Sequence, residues 1–252
     1  MPRSFIEVSY MGTRYSGFQV QENANSIQAE VEKALNIFYK EPFILTGSSR
    51  TDAGVHAISN YFHADHLALL QPSDTYHLNA ILPPDIVIKN IFIVQPDSHC
   101  RFDAISRNYK YFIYDSKDPF LSDRAYFFPY KLNIEKMQEA SELLMRYDDF
   151  TSFSKRNTQV NNFICKISES DWKYSGKTLV YNVRGNRFLR GMVRGLVGTM
   201  LKVGTGKRSI SDFKAIIEQK DCSLADFSIP AHGLFLEVVE FNGSINGLRI
   251  SS

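Results

Sequence analysis

Three stretches of the 252-residue sequence have residue types and spacing suited to chemistry. The first is Gly47-Ser-Ser-Arg50-Thr-Asp52-Ala-Gly54-Val-His56, which sets an arginine two residues before an aspartate in a tight, glycine-ended loop. A guanidinium near a carboxylate favours its ionised form and aims it, as a carboxylate nucleophile or base requires. The same residues also make an ordinary type I turn, because Asp and Gly are turn formers. The second is Arg107-Asn-Tyr109-Lys-Tyr111-Phe-Ile-Tyr114. On a strand, Tyr109, Tyr111 and Ile113 share one face, and Lys110, Phe112 and Tyr114 the other. Such rings can stack on bases, and tyrosine can equally fill a β core by propensity alone. The third is Arg187–Val203, where apolar residues recur at helical spacing and predict a helix over that range. Arg187, Arg190 and Arg194 then fall in one stripe with Gly191 and Gly198. No acidic residue shares the stripe, and like charges so spaced cost stability. Phosphate is their natural counter-charge.

The elements that must carry these residues read as two mixed series. In the first, Phe5–Tyr10 alternates as a strand, and Asn25 or Ser26 caps a helix with Ile27, Val31, Ala34, Leu35 and Phe38 on its apolar face. Further strands are expected at Phe43–Thr46, Ile58–His63 and Asp85–Val94. In the second, strands are expected at Asn108–Tyr114, Phe163–Trp172, Thr178–Arg184 and Leu234–Phe241, and helices at Ile134–Met145, Arg187–Val203 and Ser209–Gln219. This is an α+β chain of two mixed halves, residues 1–104 with the Asp52 loop and 105–252 with the basic helix.

Composition narrows the function classes. Hydrophobic residues make up 44% of the chain, which excludes a disordered protein. The opening MPRSFIEVSYMG has no long apolar run, and no later stretch is long and apolar enough to span a bilayer, so a cytoplasmic protein with no membrane association is expected. Cys100, Cys165 and Cys222 lie far apart and fit reduced thiols. The formal net charge is only +2, yet seven basic residues and no acidic one lie between Arg184 and Arg208. A localised polyanion site is implied, not a generally sticky surface. Two weaker signals fail on spacing. Val203-Gly-Thr-Gly-Lys207-Arg208 lacks the first glycine and the Ser/Thr of a phosphate loop. His56, His63, Asp65 and His66 match no metal motif, and no metal is expected.

At these residues the sequence resembles the tRNA pseudouridine synthase A family, nearly end to end. Tyr10-Met-Gly-Thr-Arg-Tyr15-Ser-Gly-Phe-Gln19 resembles the family's opening box, and Arg50-Thr-Asp-Ala-Gly-Val-His56 its catalytic box. Leu78–Asp85, His99-Cys-Arg-Phe-Asp103 followed by Arg107-Asn-Tyr109, Asp149–Phe153, Phe188–Gly198 and Gly233–Val239 resemble five more, in the family's order. Met11, Phe18, Ser49 and Arg190-Gly191 depart from the usual pattern.

The resemblance implies a fold of two α/β subdomains with extended, mostly antiparallel sheets flanked by helices, a cleft between them, and a homodimer. It implies isomerisation of uridine to pseudouridine in the anticodon arm of tRNA, with no cofactor. Asp52 falls at the catalytic aspartate and Arg50 at the arginine that pairs with it and helps displace the base. Tyr109 falls at the tyrosine that stacks on the uracil, and Arg194 at an active-site arginine; Arg187 and Arg190 are expected to meet phosphates. Two other readings compete with this one: an RNA-binding module without chemistry, which needs no Asp52, and a carboxylate-dependent hydrolase. The second usually needs another acid about 5–10 Å away, and no paired-carboxylate motif accompanies Asp52.

Overall fold

A computed structural model describes residues 1–67, 70–156 and 160–242. Nine strands and five α-helices lie among them, in an open, mixed arrangement. The chain divides into two compact units: Met1–Ser106 together with the chain from Leu236, and Arg107–Phe235.

In the first unit, β1 (Arg3–Tyr10) lies between β3 (His56–Asp65) and β4 (Ile86–Val94), antiparallel to both. The strand expected at Phe43–Thr46 is reduced to β2 (Thr46–Gly47), which pairs with β3 across Thr46–His63 and Gly47–Phe62. Residues 43–45 are held instead by helix side chains: Asn36 accepts from the Phe43 amide at 2.6 Å and Glu32 from the Leu45 amide at 2.9 Å. Helix α1 (Ile27–Tyr39) begins as the sequence indicates, with Ser26 accepting from the Ala29 amide at 3.2 Å, and it buries Ile27, Val31, Ala34 and Leu35. A short α2 (Thr75–Ile81) of about two turns precedes β4. The final strand β9 (Leu234–Phe241) lies next to β3, with the Phe241 ring against Phe5 and Tyr61.

In the second unit the strand order is β5 (Ala104–Tyr114), β8 (Thr178–Gly185), β7 (Ile167–Ser175), all antiparallel, and short β6 (Tyr126–Phe127) pairs parallel with β5. Three helices, α3 (Ile134–Leu143), α4 (Met192–Gly204) and α5 (Ile210–Gln219), accompany them. Trp172 and Tyr181 pack ring against ring at 4.9 Å beneath Met200 of α4, burying the unit's largest side chains.

The helix expected from Arg187 starts five residues later, at Met192. Tertiary hydrogen bonds hold residues 186–190 out of helical form. Asn186 exchanges backbone and side-chain bonds with Lys166, accepts from Arg107 at 2.8 Å, and the Arg190 carbonyl accepts from the Lys155 amide. Gly191 then turns the chain at φ 73°, a left-handed conformation that suits glycine, and becomes the N-cap. Arg187, Arg190 and Arg194 therefore do not form a single helical stripe.

Gly198 of α4 has a packing reason. A Cβ there would overlap the Asp226 carbonyl oxygen. Gly198→Ala gains about 1 kcal/mol of helix propensity but forces backbone apart at a cost of about 1–3 kcal/mol. We expect a lower urea midpoint at unchanged m-value; a midpoint at or above that of the parent protein would refute the close approach.

Candidate active site

The Asp52 loop is built by its neighbours. Residues 10–18 fold over it, and the two segments meet backbone to backbone. The Phe18 amide donates to the Thr51 carbonyl at 3.1 Å, and the Gly54 amide to the Tyr15 carbonyl at 3.4 Å. Side chains there would prevent this: a Cβ on Gly12 would overlap the Val55 carbonyl oxygen, and Gly17, at φ 118°, sits against Thr51 and Ala53. The upper loop is itself anchored twice. Gly17 and Phe18 carbonyls accept from the Ile27 and Gln28 amides, filling the open donors at the start of α1. Asp85 accepts from the Tyr15 hydroxyl and from Arg14, each at 2.7 Å, and its carbonyl accepts from the Met11 amide.

Beneath the loop, Asn60 of β3 is fully buried and uses both ends of its amide. Its nitrogen donates to the Ser49 carbonyl at 2.8 Å and the Tyr10 hydroxyl at 3.1 Å, and its oxygen accepts from the Ser49 and Tyr61 amides. The Tyr10 hydroxyl reaches the Thr51 hydroxyl at 2.8 Å. His56, also fully buried, accepts from the Gly12 amide at 2.9 Å. Residues 49–51 are thus fixed from below and 51–54 from above. At the departures from the family pattern, Phe18 stacks on Phe62 at 4.4 Å, and the Ser49 hydroxyl is buried with no hydrogen bond among the described residues.

At the tip of this clamped loop, Asp52 is half-buried, and among the described residues its carboxylate makes no hydrogen bond or ion pair. Arg50 is exposed on the same loop, and no ion pair joins it to Asp52 among those residues. The arrangement is a clamped loop that carries a carboxylate and a guanidinium, both unengaged among the described residues.

The other sequence-singled residues lie in the second unit. Tyr109, on β5 opposite Val183, is buried and meets Phe188 edge to face at 5.0 Å. Arg194 lies in the first turn of α4, where the helix dipole disfavours a cation. Its guanidinium donates to the Ile229 and Phe227 carbonyls, at 3.0 and 3.3 Å. The basic run is partitioned further: Arg184 pairs with Glu169 at 2.9 Å, Lys202 with Asp226 at 3.2 Å, and Arg208 donates to the Leu224 carbonyl. The side chains of Arg187, half-buried, and Arg190, exposed, make no hydrogen bond or ion pair among the described residues.

One metal-ligating group does converge. The donor atoms of His63, His99 and Cys100 lie within 4.8 Å of one another. They are already engaged: His63 Nδ1 faces Cys100 Sγ at 3.2 Å, that sulfur donates to the Thr46 carbonyl, and His99 Nδ1 accepts from the Arg101 and Phe102 amides. The positive charge of Arg3 acts on both imidazoles. This is a clasp that closes the turn at 99–103 onto β3. Sequence did not pair these residues, since His63 lies far from His99 in the chain. A better signal was Asn60, a residue disfavoured in strands and set in the middle of one.

A model of the tRNA pseudouridine synthase family matches residues 6–103 and 140–242. The chain belongs to this family. It is 48% identical over 247 residues to a tRNA pseudouridine synthase A of Porphyromonas gingivalis, covering 96% of this chain and 98% of that one. It is 44% identical to the protein of that name from Bacteroides thetaiotaomicron, covering 96% and 91%, and 38% identical to that of Staphylococcus saprophyticus, covering 94% and 90%. The name these relatives carry is that of an isomerase family. Asp52 and its clamp fall inside the first matched stretch, and Arg187, Arg190 and Arg194 inside the second. No helix among the described residues is long and apolar enough to cross a membrane.

Burial, and after it the charge of Arg3, lowers the His63 pKa from 6.5 to about 4. The unfolded chain takes up this proton below about pH 6.5 while the folded chain does not, so stability is full above that pH and is lost as pH falls toward 4. His99 is depressed in the same direction. Urea titrations near pH 7 and near pH 5 should show a smaller acid-induced loss for His63→Gln than for the parent; an equal loss would place the effect elsewhere.

Proposed function

We propose that this chain is a tRNA pseudouridine synthase that isomerises uridine to pseudouridine in the anticodon arm, with Asp52 as the catalytic carboxylate. The observation that carries the proposal is the Asp52 carboxylate, unengaged at the tip of a loop fixed on both sides, in a chain of this family. The reaction breaks N1–C1′, turns the uracil and forms C5–C1′; the C5 proton is lost and N1 gains one. Substrate and product are isomers, so no redox partner or energy input is needed, and the proposal includes no cofactor. One carboxylate serves, either as a nucleophile at C1′ or as a base at C2′.

The target uridine must leave its stack before any residue reaches it. Arg50, exposed beside Asp52, is assigned to fill the vacated space. On the family resemblance, Tyr109 is assigned to stack on the flipped base and Arg194 to the active site. Its bonds to the 227–229 carbonyls support a role in holding that segment as well. Arg187 and Arg190 are assigned to phosphates, because no protein group neutralises them among the described residues. We further propose a cytoplasmic homodimer. One chain carries a short positive track and a formal charge of only +2, and an anticodon arm with its flanking elbow is long.

The deciding measurement is incubation with unmodified tRNA and no additives, followed by chemical mapping of pseudouridine. Product should appear in the anticodon arm without release of free base. Asp52→Asn, nearly the same shape, should abolish turnover while leaving tRNA affinity and folding largely intact. Substantial residual isomerisation would remove Asp52 from the mechanism, and release of free uracil would favour a hydrolase.

A second measurement separates the arginines. Arg187→Ala and Arg190→Ala should each flatten the log–log salt dependence of tRNA affinity by roughly 0.7–0.9. Arg184→Ala, whose partner is Glu169, should flatten it less. Equal effects from all three would mean that the internal pairing does not decide which cations meet RNA.

A further inference from the structure

A furrow of about 550 Å³ opens in the second unit; Asp52, Arg50, Tyr109, Arg187 and Arg190 do not line it, and it meets the Arg194 contacts only at Ile229. One wall is aromatic. Tyr126 of β6 and Phe128 and Tyr130 just after it line the furrow together, each ring against the next. Neighbouring rings are 5.5 Å apart at 59° and 5.2 Å apart at 69°, and Tyr130 is 67% exposed. The opposite wall is α4, where Gly198 contributes no side chain, and the line continues through Leu201 and Lys202.

Charge in the furrow is unbalanced. Lys202 is neutralised by Asp226, whereas Lys131 and Lys207, both exposed, make no hydrogen bond or ion pair among the described residues. A wall of rings beside two unneutralised ammonium groups matches a planar base carrying a phosphate. Rings accept any base by stacking, and lysine meets phosphate as a point charge. The volume lies within the range of small-molecule sites.

We propose that this furrow holds a nucleotide, its base on the Phe128–Tyr130 wall and its phosphate at Lys131 and Lys207. The nucleotide is either free or one residue of an RNA strand. The readout is binding alone, so the proposal stands or falls independently of Asp52.

The test uses the full chain and two probes, adenosine monophosphate and a short single-stranded RNA, in equilibrium titrations. Tyr130→Ala and the double variant Lys131→Ala/Lys207→Ala should weaken binding about tenfold or more. Tyr130→Phe, which keeps the ring, should restore most of it, and Tyr174→Ala, equally exposed but outside the furrow, should change nothing. Urea midpoints establish that the variants fold. Weakened binding of the mononucleotide indicates a free ligand, and of the RNA alone a strand residue. Neither probe binding the parent, or both binding parent and furrow variants alike, overturns the proposal.

Discussion

The first unit turns on a close approach of two backbones, residues 12–18 over residues 51–55. Amide and carbonyl groups of the two segments satisfy each other at 3.1 and 3.4 Å, which requires that Gly12 and Gly17 carry no side chains. Buried polar groups are costly when unpaired, about 1–3 kcal/mol each. Asn60, Tyr10, Thr51 and Ser49 form one connected network in which losing Asn60 strands several partners at once, and His56 separately holds the Gly12 amide. Its consequence is that Asp52, which takes no part in the network through its side chain, is held by groups that do. The backbone that carries Asp52 is thereby fixed, while its side chain is left unengaged among the described residues.

Electrostatics in the second unit follow a different logic. A run of seven cations without an acid must find partners elsewhere or face solvent. The fold supplies carboxylates from other segments to Arg184 and Lys202, and carbonyls to Arg194 and Arg208. Carbonyl oxygens neutralise no charge, so Arg194 and Arg208 keep their long-range attraction for an anion while their donors hold loops in place. Arg187, Arg190 and Lys207 find no such partner among the described residues. The unit thus divides one block of like charge into residues engaged by the protein and residues that are not, which composition alone cannot separate.

Family membership and local architecture were legible in the chain because they rest on short-range rules. The glycines around Asp52, the Ser26 cap of α1, the Ser209 cap of α5 and the alternation of β1, β3 and β5 all depend on residues a few positions apart. The order of motifs along the sequence carried the family as well. Nothing so local revealed Asn60 as the support of the loop or His63 as the partner of Cys100, since those partners lie 11 and 37 residues away.

The helix start shows where tertiary structure decided. Periodicity around Arg187 is helical, and the buried Leu189 and Met192 fit it, yet long-range bonds from Asn186 and Arg190 to Lys166 and Lys155 hold residues 186–190 out of helical form until Gly191 turns the chain. A hydrophobic pattern reports which residues seek the core. It does not report which backbone amides will be claimed by distant segments before the helix can use them. The sequence by itself therefore determined the family, the loop bearing Asp52 and the chemistry its residues can support. The tertiary structure alone decided how that loop is clamped and which arginines the protein engages, because both depend on hydrogen bonds and ion pairs between residues far apart in the chain.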